Sequence, residues 1–303
     1  MSGLPTIRQS ALELAGVATR VLEVDGAGPA VLLLHGFSDS ADGWRPVLTE
    51  LAHHGRRAIA VDLPGAGWAE PLGRPALPAL DRVVGAFVAR YADLPVLLVG
   101  NSLGGLLALR AGARPGPAVA GIVAMDPAGL AYSPPLRLLS RLIGPATAPV
   151  QSLLRLPIPG GLVRLYARIV FEIALSQGRA GREAGRIYAS HVHDRRGLRR
   201  LWDDLRALNE EGREVVDVAA IRVPVLLIWG ALDCITPVDA AGRVLAAAPD
   251  SRLAVLPDCG HCPQLQRPIQ VADLIASFAE PFDTAPHRSP GTSGSPDHPR
   301  ENR

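Results

Sequence analysis

Residues 97–109 read LLVGNSLGGLLAL: a short apolar run, the turn Gly100-Asn101-Ser102-Leu103-Gly104, and a second apolar run. The first run is continuous, as in a strand covered on both faces, and the second has the character of a buried helix. A serine on so tight a strand-to-helix turn takes a strained backbone. Glycines two residues to either side remove the Cβ atoms that would collide there. The turn is expected to hold Ser102 Oγ in the open at a helix N-terminus, where N–H groups favour developing negative charge. The competing reading is a glycine-rich connection of packing value only, and the strand–turn–helix context weighs against it.

Working outward, short apolar segments alternate with helical patterns. Strands are expected at 19–24, 30–35, 57–62, 95–100, 120–126, 223–230 and 251–257, with helices at 78–91, 102–113 and 237–248. That alternation predicts right-handed βαβ crossovers and an α/β fold with a doubly wound, mostly parallel sheet. Functional loops then lie beyond the carboxyl ends of the strands. Residues 131–214 interrupt the pattern with Pro/Gly breakers and helical pieces, so a helical cap inserted between 1–130 and 215–282 is expected. Residues 283–303 are rich in Pro, Ser, Gly and charge, the composition of a disordered tail.

The chain has 303 residues, 48% of them hydrophobic and 20% charged, which suits a globular protein with a sizeable core. A formal charge of +2 gives no reason to expect nucleic acid as a partner. All 31 basic residues are arginine. No signal peptide is legible at the N-terminus, and no apolar run nears the roughly 20 residues of a membrane span, so a cytoplasmic protein is expected. Three cysteines do not form a disulfide framework.

With these segments placed, residues 19–282 resemble the α/β-hydrolase fold superfamily, particularly its cap-bearing esterases and meta-cleavage-product C–C hydrolases. His35-Gly36-Phe37 is similar to the family's HG-x loop, and VDLPGAGWAE (61–70) to its D-x-P-G-x-G loop, although Ala69-Glu70 departs from the common ending. The resemblance implies that the Phe37 and Leu103 N–H groups form an oxyanion hole and that Ser102 is the nucleophile. It further implies Asp233, in LLIWGALDCITP, as the acid and His261, in LPDCGHCPQLQRP, as the base. Ser…Asp…His is the chain order this fold uses. Asp126, ending the strand after the elbow in AMDPAG, occupies a position some members use for the acid and is the alternative.

Cys259-Gly260-His261-Cys262 also has the C-x-x-C spacing of thioredoxin-type redox sites. Such a site needs an exposed cysteine of depressed pKa at a helix N-terminus in a small βαβ unit. Here the motif lies late in a long chain with Asp258 before it, and a neighbouring carboxylate disfavours the thiolate. Both cysteines are therefore expected to pack around the histidine loop. With no second ligand pair at suitable spacing, no zinc site is expected. His53, His54, His191 and His193 fall in polar stretches and His287 and His298 in the tail.

A serine at the elbow, not the aspartate of epoxide hydrolases and dehalogenases, points to attack on a carbonyl. The expected partner is a small-molecule ester with an apolar acyl part; no cofactor and no metal are expected, and oligomeric state is not legible. Asn101 before the serine resembles the C–C hydrolase elbow, whereas Cys262 stands where that group commonly has tryptophan. Apolar cap residues such as Leu162, Val163, Leu165 and Ile169 either line a pocket mouth or pack the cap's own core. A ligand receptor on a hydrolase scaffold is the reading from another class, which an intact Ser/Asp/His set disfavours.

Overall fold

The computed structural model describes residues 5–114, 118–134, 159–175, 194–211 and 216–283, together with positions 186, 188 and 192. Eight strands form one sheet: β1 (Arg8–Leu14), β2 (Val17–Val24), β3 (Ala27–Leu34), β4 (Arg56–Val61), β5 (Val96–Asn101), β6 (Val119–Met125), β7 (Val225–Gly230) and β8 (Ser251–Leu256). Their order is β1-β2-β4-β3-β5-β6-β7-β8. β1 and β2, and β2 and β4, pair antiparallel; every later pair is parallel. The helices are α1 (Arg45–His53), α2 (Ala76–Tyr91), α3 (Leu103–Gly112), α4 (Gly160–Leu175), α5 (Arg195–Glu211), α6 (Ala241–Ala247), α7 (Pro263–Gln266) and α8 (Pro268–Ala279).

The continuous apolar runs have a direct cause. Successive strand side chains point to opposite faces, and both faces are covered. In β3, Leu32 and Leu34 enter a core shared with α2, α3 and α6. Val31 and Leu33 enter the opposite core, which α1 and α8 complete. β5 divides the same way, Val96 and Leu98 against Leu97 and Val99. All eight side chains are fully buried. Each contributes about 1.5–3 kcal/mol of apolar burial, so a polar substitution at any of them is disruptive.

One strand was not legible. β1 is mostly solvent-exposed on the sheet edge, so its apolar signal is weak. It reaches β2 through Ala15-Gly16, both at positive φ (52° and 79°), a hairpin turn without the usual Asn-Gly signature. The expected helix at 237–248 divides into a short 3-10 turn at Val238–Ala240 and α6. At the other end, Asp283 pairs with Arg56 and so belongs with the folded part, one residue beyond the expected boundary; the rest of the expected tail, from 284, lies outside the described residues.

Much of the expected cap, 131–214, also lies outside the described residues, including Leu153, Leu154 and Ile158. The described parts show Val163 and Ala167 of α4 clustered with Leu198 of α5 and with Val192, which precedes α5, while Leu162, Leu165 and Ile169 are exposed. α5 is fastened to the sheet domain at its end: Glu211 accepts the Ala76 and Leu77 N–H groups at 2.7 Å each. Arg74 pairs with Asp204 at 2.7 Å.

β3 sends its chain to β4 on one side while β5 takes the other, so the strand order reverses between them. The crevice at such a switch point is where open α/β sheets bind ligands. Leu34 is in register with Gly100, Asn101 with Met125 and Gly230 with Leu256. That register brings the loops bearing His35, Ser102, Asp126, Asp233 and His261 to one rim.

Candidate active site

Ser102 sits between β5 and α3 at φ 51° and ψ −111°. A β-carbon at Gly100 would collide with the Gly104 backbone, and one at Gly104 with the Leu34 carbonyl. The glycines therefore permit the turn to pack directly on β3, as a strained serine requires. Ser102 N–H donates to the Met125 carbonyl at 2.9 Å, and the Ser102 carbonyl accepts Leu106 N–H at 2.9 Å and Ala128 N–H at 3.0 Å. The elbow is thus held by both its own helix and the end of β6.

Gly36 lies against it. A β-carbon built there would stand 3.4 Å from Ser102 Cβ and 3.3 Å from the Tyr188 hydroxyl. Among the described residues the Phe37 and Leu103 N–H groups have no partner in the loops and caps. Both residues border a cleft of about 570 Å³ between the HG loop, residues 63–72 and α5. Ser102 and His261 are not part of that cleft's lining; it stops at Leu103.

His35 acts as a brace. Its Nε2 accepts Leu63 N–H at 2.8 Å, which leaves Nδ1 protonated to donate to the Gly36 carbonyl at 2.8 Å. Asp62 organises the neighbouring loop, accepting Ala41 N–H at 2.7 Å and Trp68 N–H at 2.9 Å and pairing with buried Arg20 at 2.8 Å.

Asp233 and His261 meet. His261 Nδ1 lies 2.8 Å from Asp233 Oδ2, with the Asp233 side chain fully buried. Asp233 Oδ1 accepts Ile235 N–H at 2.7 Å and Thr236 N–H at 3.2 Å, and Oδ2 accepts the Thr236 hydroxyl at 2.7 Å. Burial alone would raise this carboxyl. The charge and hydrogen bond of His261, then those donors, more than offset it, and the carboxyl lies below the ordinary aspartate value.

Asp126 is also at this corner, fully buried and at φ 44°. It does not bond His261; its Oδ1 accepts Gly230 N–H at 2.9 Å and its carboxyl faces Asp233. Burial, reinforced by the Asp233 charge, raises it well above an ordinary aspartate.

The structure therefore brings Asp233, His261 and Asp126 together and sets Phe37, Leu103 and Ser102 around Gly36. It gives Ser102 Oγ no hydrogen bond among the described residues; the link between the two groups is the side-chain amide of the neighbouring Asn101. Asn101 Nδ2 donates to the His261 carbonyl at 3.0 Å, and Asn101 Oδ1 accepts Gln264 Nε2 at 3.2 Å. Sequence reasoning passed over Thr236, Gln264 and the bracing part of Asn101. Only Asn101 carried a signal, its place beside the elbow serine.

Neither cysteine of the C-x-x-C pair is exposed. Burial pushes the Cys259 thiol up to about 12 and Cys262 well above its usual value. Cys262 S–H donates to the Tyr188 hydroxyl at 3.8 Å, and Cys259 S–H to Gln266 Oε1 at 3.2 Å. Both sit as packing around the histidine loop. Asp39, behind the HG loop, is buried with neither oxygen at full hydrogen-bond geometry, and burial pushes it up to about 7. Among the described residues no group of three or more His, Cys, Asp or Glu side chains could hold a metal, and no helix is long and apolar enough to cross a membrane.

Several known proteins similar to this chain are hydrolases. The mouse monoacylglycerol lipase ABHD6 is 28% identical over 84% of this chain and 76% of its own. The 2-hydroxy-6-oxo-6-(2'-aminophenyl)hexa-2,4-dienoic acid hydrolase of Metapseudomonas resinovorans is 28% identical over 87% of this chain and 88% of its own. The 2-hydroxy-6-oxo-6-phenylhexa-2,4-dienoate hydrolase of Rhodococcus sp. strain RHA1 has the same fold, with a TM-score of 0.72 and 20% identity over 90% of this chain and 98% of its own. A family model described as the alpha/beta hydrolase family matches residues 31–274, which span the elbow, the HG loop and the Asp233–His261 pair, and the chain belongs to that family.

Proposed function

We propose that the protein is a serine hydrolase that acts through an acyl-enzyme on a carboxylic ester with an apolar acyl part. The observation that carries this reading is the strained Ser102 elbow tied, through Asn101, to the loop whose histidine is paired with Asp233. A serine hydroxyl is a weak nucleophile until a base takes its proton. His261 Nδ1 is occupied by Asp233, which leaves Nε2 to accept the Ser102 proton. Apo geometry is often loose at such a bond and tightens with substrate.

Ser102 Oγ attacks the carbonyl carbon, and the resulting oxyanion takes the Phe37 and Leu103 N–H groups. His261 then gives its proton to the leaving alcohol, and the acyl-enzyme remains. Water follows the same path, losing a proton to His261 as it attacks, and the acid departs as Ser102 recovers its hydrogen. Asp233 stays ionised throughout and stabilises the imidazolium. In this reading α4 and α5 belong to a cap over the site, and Tyr188 reaches from it to Gly36.

A second reading, hydrolysis of a C–C bond in a vinylogous 1,5-diketone, is favoured by the 28% identity to a hydrolase of that substrate type and by Asn101 before the serine. Cys262 in place of tryptophan favours the ester. The test is labelling with a fluorophosphonate probe, located by mass spectrometry, followed by turnover of p-nitrophenyl esters and a dienoate. Labelling at Ser102 with sustained ester release is expected. No label at Ser102, or a single burst without turnover, would refute the enzyme.

A further inference from the structure

Asp126 is a buried carboxyl for which that mechanism has no use. It is fully buried immediately after β6, in a positive-φ conformation costly for a non-glycine residue. Oδ1 accepts the Gly230 N–H at 2.9 Å. Oδ2 has no hydrogen-bond partner among the described residues, and the carboxyl faces Asp233: Thr236, whose hydroxyl donates to Asp233 Oδ2 at 2.7 Å, also stands 3.3 Å from the Asp126 carbonyl. Two carboxyl oxygens attract only when one carries a proton. The four hydrogen bonds already converging on Asp233, two to each oxygen, favour its ionised form. The titratable groups facing Asp126 are Asp233 from the loop after β7 and the thiols Cys259 and Cys262 from the histidine loop, with His261 bonded to Asp233. Among the described residues no arginine bonds it.

We propose that Asp126 stays neutral and donates its carboxyl proton to Asp233, a positioning residue that fixes the acid against His261, not a replacement for that acid. This deepens the serine-hydrolase reading and rests on it. The hydrogen stays on Asp126 throughout turnover; what it supplies is a further hydrogen bond to a carboxylate whose orientation sets the imidazole. A buried charge-assisted hydrogen bond of this type is strong and directional.

The test compares Asp126→Asn with Asp126→Ala by the pH profile of kcat/KM on p-nitrophenyl butyrate. An asparagine keeps a donor for Asp233 and an acceptor for Gly230, so it should stay within about threefold of the wild type, its acid limb unmoved. Alanine removes the donor and should lower kcat by about 10- to 100-fold, with the acid limb moved to higher pH because Asp233 presents a less dispersed charge. A loss near 10⁴-fold in the asparagine variant would make Asp126 the acid itself and overturn the proposal. So would an asparagine acid limb moved to lower pH, since that reports removal of a negative charge from the site.

Two measurements keep the answer separate from the enzyme reading. NMR titration of the His261 ring in wild type and Asp126→Asn gives the same comparison without turnover: coincident curves support the proposal, displaced curves overturn it. If neither variant folds, infrared spectroscopy of the wild type above the pH near 7 where Asp39 ionises should still show a neutral-carboxyl band; its absence overturns the proposal. Failure of Ser102 to take the fluorophosphonate would refute the hydrolase reading instead.

Discussion

The side chain of Asn101, the residue before the elbow serine, donates to the main-chain carbonyl of His261 at 3.0 Å, 160 positions later in the chain. With Gln264 donating to Asn101 Oδ1 at 3.2 Å, one buried amide fastens the end of β5 to the histidine loop. Truncating it leaves a buried carbonyl and a buried amide without partners, and each orphan costs about 1–3 kcal/mol.

Asn101→Ala should therefore lower stability by about 2–4 kcal/mol, read as a reduced midpoint in urea with an unchanged slope. It should also cut ester turnover more than it changes substrate binding, because the imidazole loses its register with Ser102. A variant with wild-type stability and turnover would mean the bond holds nothing in place.

The strain at Ser102 makes a prediction that activity cannot. Alanine keeps the costly φ of 51° while glycine relieves it. Both Ser102→Ala and Ser102→Gly should abolish ester turnover, yet the glycine variant should exceed the alanine variant by about 1 kcal/mol in stability. Equal melting of the two would show that the elbow stores no strain.

Why the elbow was legible and other parts were not is a matter of locality. Ser102 with Gly100 and Gly104 is a local constraint: each glycine answers a backbone contact within five residues or on the adjacent β3, so the pattern survives in one stretch of sequence. The same holds for β3, β5, β6 and β7, whose two-sided burial writes an uninterrupted apolar run. β1 has one exposed face and an Ala-Gly turn and leaves almost no signal. Gln264 serves Asn101, a partner that only the folded sheet brings near, so nothing about its own surroundings marks it; Thr236 bonds Asp233 within its own loop, but its approach to the Asp126 carbonyl depends on the fold. Asp126 was legible as a carboxyl at the right strand end, but that it faces Asp233 and leaves His261 alone depends on the β6–β7 register.

The cysteine motif yields a count. Cys234 is exposed, whereas Cys259 and Cys262 are buried with thiols raised far above ordinary values, chiefly by burial. Titration of the native protein with a thiol reagent at neutral pH should consume one equivalent quickly, and three after denaturation. Rapid reaction of two or three thiols in the native state, or reductase activity lost on Cys259→Ser, would restore the redox reading that the site geometry disfavours.

Asp39 gives stability a pH dependence of definite sign. Its carboxyl is pushed up to about 7 from an ordinary 3.8, first by burial, with Ser40 N–H and the Tyr188 hydroxyl as its nearest donors. Between those two values the native state holds a proton that the unfolded chain has released. The stability this residue contributes is thus complete below pH 3.8 and lost as pH rises to about 7, levelling off above. The whole loss is on the order of 4 kcal/mol as an upper figure, since water entering the site would reduce it. Asp39→Asn removes the titration while keeping the shape of the group. Urea unfolding of both proteins across this range should show the variant gaining on the wild type as pH rises, while the contributions of Asp42, Asp126 and Asp233 cancel in the difference. A gap that stays flat with pH would mean that Asp39 is ionised in the folded protein at all these values, with a cation or water beside it that balances its charge.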